Sequence, residues 1–135
     1  MSDPVNAPQA GIQRWSGGAI GRNLAVAYGG LVWTVANARD ASAGFEDQVA
    51  QSLQMLDEHL VMAGSASTHL LSLQVMLADI SQRNAFDTLW REWVGPDPQH
   101  WPQRACFQAE LAPGMLVELV AVAAPASAVN VPTAR

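Results

Sequence analysis

The 135-residue chain contains no lysine, and its seven arginines face twelve acidic residues, for a formal net charge of −5. Nucleic-acid binding draws its affinity from clustered cations, so this balance argues against an RNA or DNA partner. Cysteine is nearly absent as well. The single Cys106 excludes an intramolecular disulfide framework and a cysteine-based zinc site, and it fits a reducing compartment. His59, His69 and His100 follow no metal-binding spacing, so no metal is expected. No apolar run approaches the length that spans a bilayer, and the opening MSDPVNAPQAG has neither a basic nor an apolar leader region. The expectation is a cytoplasmic protein without a membrane anchor. Charge of either sign is also scarce, at 14% of residues against 50% hydrophobic, which predicts that partner subunits cover part of an apolar surface.

The length allows one domain with a sizeable core. Residues 1–11 hold two prolines and several small residues and read as a mobile arm; residues 12–124 form the domain, and residues 125–135 a flexible tail. Ile12 to Trp15 reads as a short strand. Leu24, Val26 and Tyr28 alternate with Ala25 and Ala27, Gly29-Gly30 supplies a turn, and Leu31 to Ala36 returns as a hairpin. Phe45, Val49, Leu53, Leu56, Leu60 and Ala63 fall at helical spacing up to Gly64, with Glu46 and Asp47 in the first turn, where the helix dipole favours them. This reading puts His59 on the helix's polar side. Leu71, Leu73, Val75 and Leu77 then alternate as a strand covered on one face, and a second helix over residues 81–94 buries Ala85, Phe86, Leu89, Trp90, Trp93 and Val94 before Gly95-Pro96 stops it. The expected fold is α+β in the order β-β-β-α-β-α-β-β. Two helices cover one face of a six-stranded, mostly antiparallel sheet, and the other face is left for a subunit or a ligand.

The stretch from Pro102 to Ala124 carries the chemistry. Arg104, Cys106, Gln108 and Glu110 alternate with apolar residues, Ala112-Pro113-Gly114 reads as a turn, and Glu118 is the one ionisable group of the following strand. Read as a hairpin, a three-residue loop pairs Gln108 with Glu118 and gathers Arg104, Cys106 and Glu118 on one face; a two-residue loop sends Glu118 to the other. The first register is favoured because it collects the polar side chains. A charge buried without a partner costs several kcal/mol, so these groups either form an internal Arg-Glu pair, reach water, or meet a ligand.

Ala63-Gly64 ending a helix, Leu77-Ala78-Asp79 ending a strand, Trp90-Arg91-Glu92-Trp93-Val94, Pro102-Gln103-Arg104-Ala105 and Val117-Glu118-Leu119 occur in an order and spacing that resembles the Rid family (RidA/YjgF, often labelled endoribonuclease L-PSP) over residues 12–124. The resemblance implies a chorismate-mutase-like fold, a homotrimer with clefts between subunits, and hydrolysis of reactive enamines and imines without metal or organic cofactor. It implies that Arg104 grips a substrate carboxylate with parallel hydrogen bonds and that Glu118 positions the attacking water. Cys106 aligns with a cysteine often seen at that site, where backbone contact or packing is favoured because no histidine lies nearby to activate a thiolate. Trp101, three residues before Arg104, either walls the cleft or packs on the second helix. Arg22 and Asn23 stand where the family often gates the cleft, with an exposed surface arginine as the alternative.

Three positions depart from the family pattern. Val35-Ala36-Asn37 replaces a small residue followed by Gly-Gln, no tyrosine occupies the position near the start used by the best-characterised deaminases, and Asp87 stands where those enzymes carry asparagine. Asp87 adds a like charge for a carboxylate substrate if it faces the cleft. The expected function is therefore a divergent Rid-like deaminase acting on small 2-imino acids, with Arg104, Cys106, Asn37, Trp101, Asp87 and Arg22 around the substrate. The alternative is a non-catalytic trimer that binds a small carboxylate such as a keto acid. Ribonuclease activity is disfavoured by the missing lysines.

Overall fold

A computed structural model describes residues 11–126. The expected arm and tail lie outside the described residues, apart from Gly11 and the first two tail residues. Six strands, β1 (Gln13–Ser16), β2 (Asn23–Tyr28), β3 (Leu31–Asn37), β4 (Leu70–Leu77), β5 (Gln103–Gln108) and β6 (Val117–Ala123), join one sheet, and α1 (Phe45–Met62) and α2 (Arg83–Val94) provide the helices. This is the expected element order and the expected α+β class. The sheet order is β1-β2-β3-β6-β4-β5, antiparallel throughout except for the parallel pair β4 and β5.

Local sequence accounts for most of these elements. Tyr28 pairs with Leu31 across Gly29 and Gly30, both at positive φ (60° and 85°), the geometry whose twist matches a two-residue hairpin. Helix α1 buries Val49, Leu53, Leu56 and Leu60 against the sheet, and α2 buries Phe86, Trp90 and Val94, four residues apart, before Gly95 turns the chain away. Leu70, Leu73, Val75 and Leu77 are buried under the helices with Leu119, Ala121 and Ala123 of β6. Leu71, expected inside, is exposed because the β4–β6 register shifts between Leu70 and Ser72 and turns one residue outward.

The expected hairpin between Arg104 and Val122 does not form. Strands β5 and β6 never touch edge to edge: β4 lies between them, parallel to β5 and antiparallel to β6. Val75 pairs with Cys106 on one side and Leu119 on the other, whereas Met76 pairs with Phe107 and Glu118. Pairing in register keeps side chains on a common face. Arg104 and Cys106 therefore lie on the helix-covered face, and Glu118 lies on the opposite one with Asn37, Met76 and Phe107.

The connection from β5 to β6 is held by a polar residue that helical spacing alone hides. Gln48 is completely buried; its amide nitrogen donates to the carbonyls of Ala43 (3.1 Å) and Gly114 (2.9 Å), and its oxygen accepts from the Leu116 N–H (2.9 Å). A second buried polar group corrects the expectation for His59. It faces the core, with Nδ1 2.9 Å from the Thr34 hydroxyl, which itself donates to the Leu24 carbonyl at 2.7 Å. The Thr34 hydroxyl and Nδ1 share one buried hydrogen bond, whose direction follows the tautomer of the ring.

Burial pushes the His59 imidazole below its ordinary pKa, outweighing the opposing effect of the Val35 backbone. The unfolded chain then binds the proton first, so the neutral-His59 contribution is complete above about pH 6.5 and is lost as pH falls below that value. Thermal unfolding between pH 7.5 and 5.5 should show a falling melting temperature in the native chain and a smaller fall in His59→Gln.

Candidate functional site

The β4–α2–β5 crossover lays α2 over the edge strand and brings Asp87 to Arg104. The Arg104 Nη2 donates to Asp87 Oδ1 at 2.7 Å, with only 18% and 16% of the two side chains exposed. The guanidinium also lies over the Phe86 and Trp90 rings, at 5.5 and 5.8 Å from their centroids, so an aromatic floor supplies a second attraction for the cation. The ion pair uses one guanidinium nitrogen. Among the described residues, the Nε and Nη1 groups make no hydrogen bond, and neither does Asp87 Oδ2.

Arg104 and Asp87 form the base of a cleft of about 630 Å³ between the end of α2 and the loop before β5. Trp90, Val94, Pro96 and Trp101 provide apolar walls, and Arg91 and Glu92 add one charge of each sign. Trp101 is half exposed and held in place by its indole N–H, which donates to the Gly95 carbonyl at 2.9 Å. It therefore walls the cleft. Trp90 and Val94, expected only as core, have a second role at this wall. The signal for it was the spacing from Asp87 to Trp90 and Arg91, three and four residues on, which puts Asp87 beside both on the surface of α2.

Cys106 shares the face of Arg104 but packs against the core, and burial pushes its thiol pKa up, outweighing the Arg104 charge nearby. That disfavours a nucleophilic thiolate at neutral pH. Arg22 is exposed in the turn before β2. Asn37 and Glu118 are direct cross-strand partners on the open face, away from the cleft. Among the described residues, the half-buried Glu118 carboxylate makes no hydrogen bond or ion pair. One chain thus unites Arg104, Asp87 and Trp101 in one place and Asn37 with Glu118 in another. Among the described residues, no cluster of histidine, cysteine or acidic side chains could hold a metal, and no helix is long and apolar enough to cross a membrane.

A family model described as Endoribonuclease L-PSP matches residues 5–125. A RutC family protein of Haemophilus influenzae is 35% identical over 78 residues, which are 57% of this chain and 66% of that protein. A human 2-iminobutanoate/2-iminopropanoate deaminase is 31% identical over 61% of this chain and 58% of its own length. The matched stretches thus span less than two thirds of either relative. A crystal structure from Pseudomonas aeruginosa superposes with a TM-score of 0.76 at 31% identity, covering 84% of this chain and 98% of the other. A YjgF family member from Neisseria meningitidis gives 0.76 at 27% identity, over 84% and 94% of the two chains.

The short Arg104–Asp87 contact sets an energetic expectation. Removing either partner leaves a largely buried charge, whereas removing both removes the problem. In a double-mutant cycle, Arg104→Ala and Asp87→Ala should each destabilise the fold by about 1–3 kcal/mol, with a coupling of about 1–2 kcal/mol. Denaturant titration of the four proteins measures it, and additive effects would mean that the pair contributes nothing.

Proposed function

The chain belongs to the Endoribonuclease L-PSP family, the Rid/YjgF group, and on that premise we propose that it is a homotrimeric cytoplasmic hydrolase of small 2-imino acids. The observation that carries this reading is Arg104: a guanidinium in an apolar-walled cleft, with hydrogen-bond donors left over after its internal pairing. A planar guanidinium in that setting favours a carboxylate. The name of the human relative, a deaminase of imino acids, supports the same class of substrate.

Hydrolysis needs a second group beside the imine carbon. Glu118 has the right chemistry, because its unpartnered carboxylate can orient a water and take its proton as the oxygen attacks the C=N carbon. The resulting carbinolamine expels ammonia and leaves the keto acid. Within one chain, however, β4 separates β5 from β6, and the two side chains leave opposite faces of the sheet. β5 and β6 are two strand spacings, about 10 Å, apart, and with the side chains on opposite faces a small imino acid cannot bridge them around the sheet. Two copies resolve this, with Arg104 from one and Glu118 from the other. The open face invites such packing, since Trp33, Val35 and Phe107 are each more than 40% exposed there. Asn37, beside Glu118, then lines the shared cleft, and Arg22 stands near its rim.

A non-catalytic reading is favoured by one specific observation. Glu118 leaves the face of the sheet opposite to Arg104, so within one chain the cleft can hold a carboxylate-bearing ligand without that carboxylate aimed at a reacting carbon. Turnover separates the two. With imino acids generated in place by an amino-acid oxidase, the native protein should release keto acid faster than the spontaneous reaction, and Glu118→Gln should lose that acceleration while retaining ligand binding. A shared cleft adds a sharper outcome: mixed trimers of Arg104→Ala and Glu118→Gln chains should recover up to about a quarter of native activity, because that fraction of clefts receives both intact residues. Full binding with no acceleration by the native protein identifies the binder. Native activity without recovery on mixing would place both residues in one subunit's site.

A further inference from the structure

The Arg104–Asp87 pair is chemically ambivalent toward a carboxylate. A second anion at the guanidinium meets the negative Asp87 at once, since Oδ1 already lies 2.7 Å from Nη2. Like charges this close repel, and the apolar walls of Trp90, Val94, Pro96 and Trp101 strengthen that repulsion by excluding water. The other ionic groups do not offset it, because Arg91 and Glu92 cancel at the wall as Arg104 and Asp87 cancel at the base. The charges of the residues that line the cleft therefore sum to zero. A purely anionic ligand makes it negative, and a purely cationic ligand makes it positive.

A ligand carrying both charges on adjacent atoms meets neither penalty. Its carboxylate takes guanidinium N–H groups on the edge that the internal pair leaves free, and its positive nitrogen lies next to Asp87 Oδ2, the oxygen without a partner among the described residues. We infer that Asp87 and Arg104 together form a zwitterion receptor, in which Asp87 selects ligands that carry a cationic nitrogen beside the carboxylate. The preferred class is an α-amino acid or the protonated, iminium form of a 2-imino acid, with an apolar or aromatic side chain against the two tryptophans. A 2-oxo acid is the disfavoured anion.

This inference rests on the reading of Arg104 as the carboxylate anchor, and it adds a direction to the proposed reaction. An iminium acid, R–C(=NH₂⁺)–COO⁻, has no net charge; water converts it to the keto acid, R–CO–COO⁻, and NH₄⁺. The substrate satisfies both members of the pair. The organic product satisfies only Arg104 and is repelled by Asp87, so the same residue that favours the substrate promotes release of the product.

Calorimetric titration with side-chain-matched probes tests this without turnover. L-Phenylalanine should bind the native protein about tenfold more tightly than phenylpyruvate, and phenethylamine, which lacks the carboxylate, should bind more weakly than L-phenylalanine. In Asp87→Asn, which keeps the shape and a hydrogen-bonding group, the order of the first two should reverse. Equal or tighter binding of phenylpyruvate by the native protein overturns the inference whatever the variant does, as does failure of both carboxylate probes to bind. Equal losses of both in Asp87→Asn would also overturn it. A native protein that hydrolyses imino acids yet binds phenylpyruvate as well as L-phenylalanine defeats the zwitterion receptor alone. One that discriminates the probes without accelerating hydrolysis retains the receptor and loses the enzyme.

Discussion

The insertion of β6 between β3 and β4 is the constraint from which the functional arrangement follows. Because β4 already has β6 on one side, β5 can join only at the other edge, and it does so parallel to β4 through the α2 crossover. A parallel connection needs an intervening crossover, and here that crossover is the helix carrying Asp87 and Trp90. The edge position leaves Arg104 with a helix above it and no further strand beside it. The same insertion gives Glu118 the central location opposite Asn37 and Met76, facing away from the helices.

Arg104 illustrates how a chain with little charge can keep a cation in an apolar setting. The ion pair alone would be a weak device, since desolvating two charges consumes most of the Coulombic gain. Contact with the Phe86 and Trp90 ring faces offers attraction that needs no second ion. The planar fork can accept one carboxylate and still present an edge to another, which an ammonium could not do with the same directionality. In this respect the missing lysines and the site have a common logic.

Much of the fold was legible because it depends on short-range pattern. Gly29-Gly30 dictates its hairpin, and the four-residue spacing of Phe86, Trp90 and Val94 marks the buried side of α2. What escaped depends on contacts distant in sequence. Alternation from Arg104 to Val122 correctly marks two strands, but it cannot tell that β4 comes between them, and that one choice moves Glu118 to the other face. Gln48 and His59 look like solvent-facing polar positions until their partners are known: Gly114 and Leu116 for one, Thr34 for the other. Asp87 was legible as a departure from the family and as a charge near the cleft. Its pairing with Arg104 was not, because the geometry of the crossover decides it.

Separation of Arg104 from Glu118 also changes what the open face means. An exposed apolar sheet face is usually a matter of stability or solubility, and covering Trp33, Val35 and Phe107 would benefit any assembly. Glu118 makes the covering chemically selective, because an unpaired carboxylate enclosed by such an interface carries a desolvation cost unless the interface provides water, a donor or a ligand. Asn37 is one donor already adjacent to it. A partner that sealed the face completely would strand the charge, whereas one that left a wet cleft along the row of Asn37, Glu118, Met76 and Phe107 would keep it solvated and available. The proposed assembly and the proposed hydrolysis therefore impose the same requirement on this surface: apolar contact around a polar opening, with the carboxylate held at the opening by a strand too central in the sheet to move.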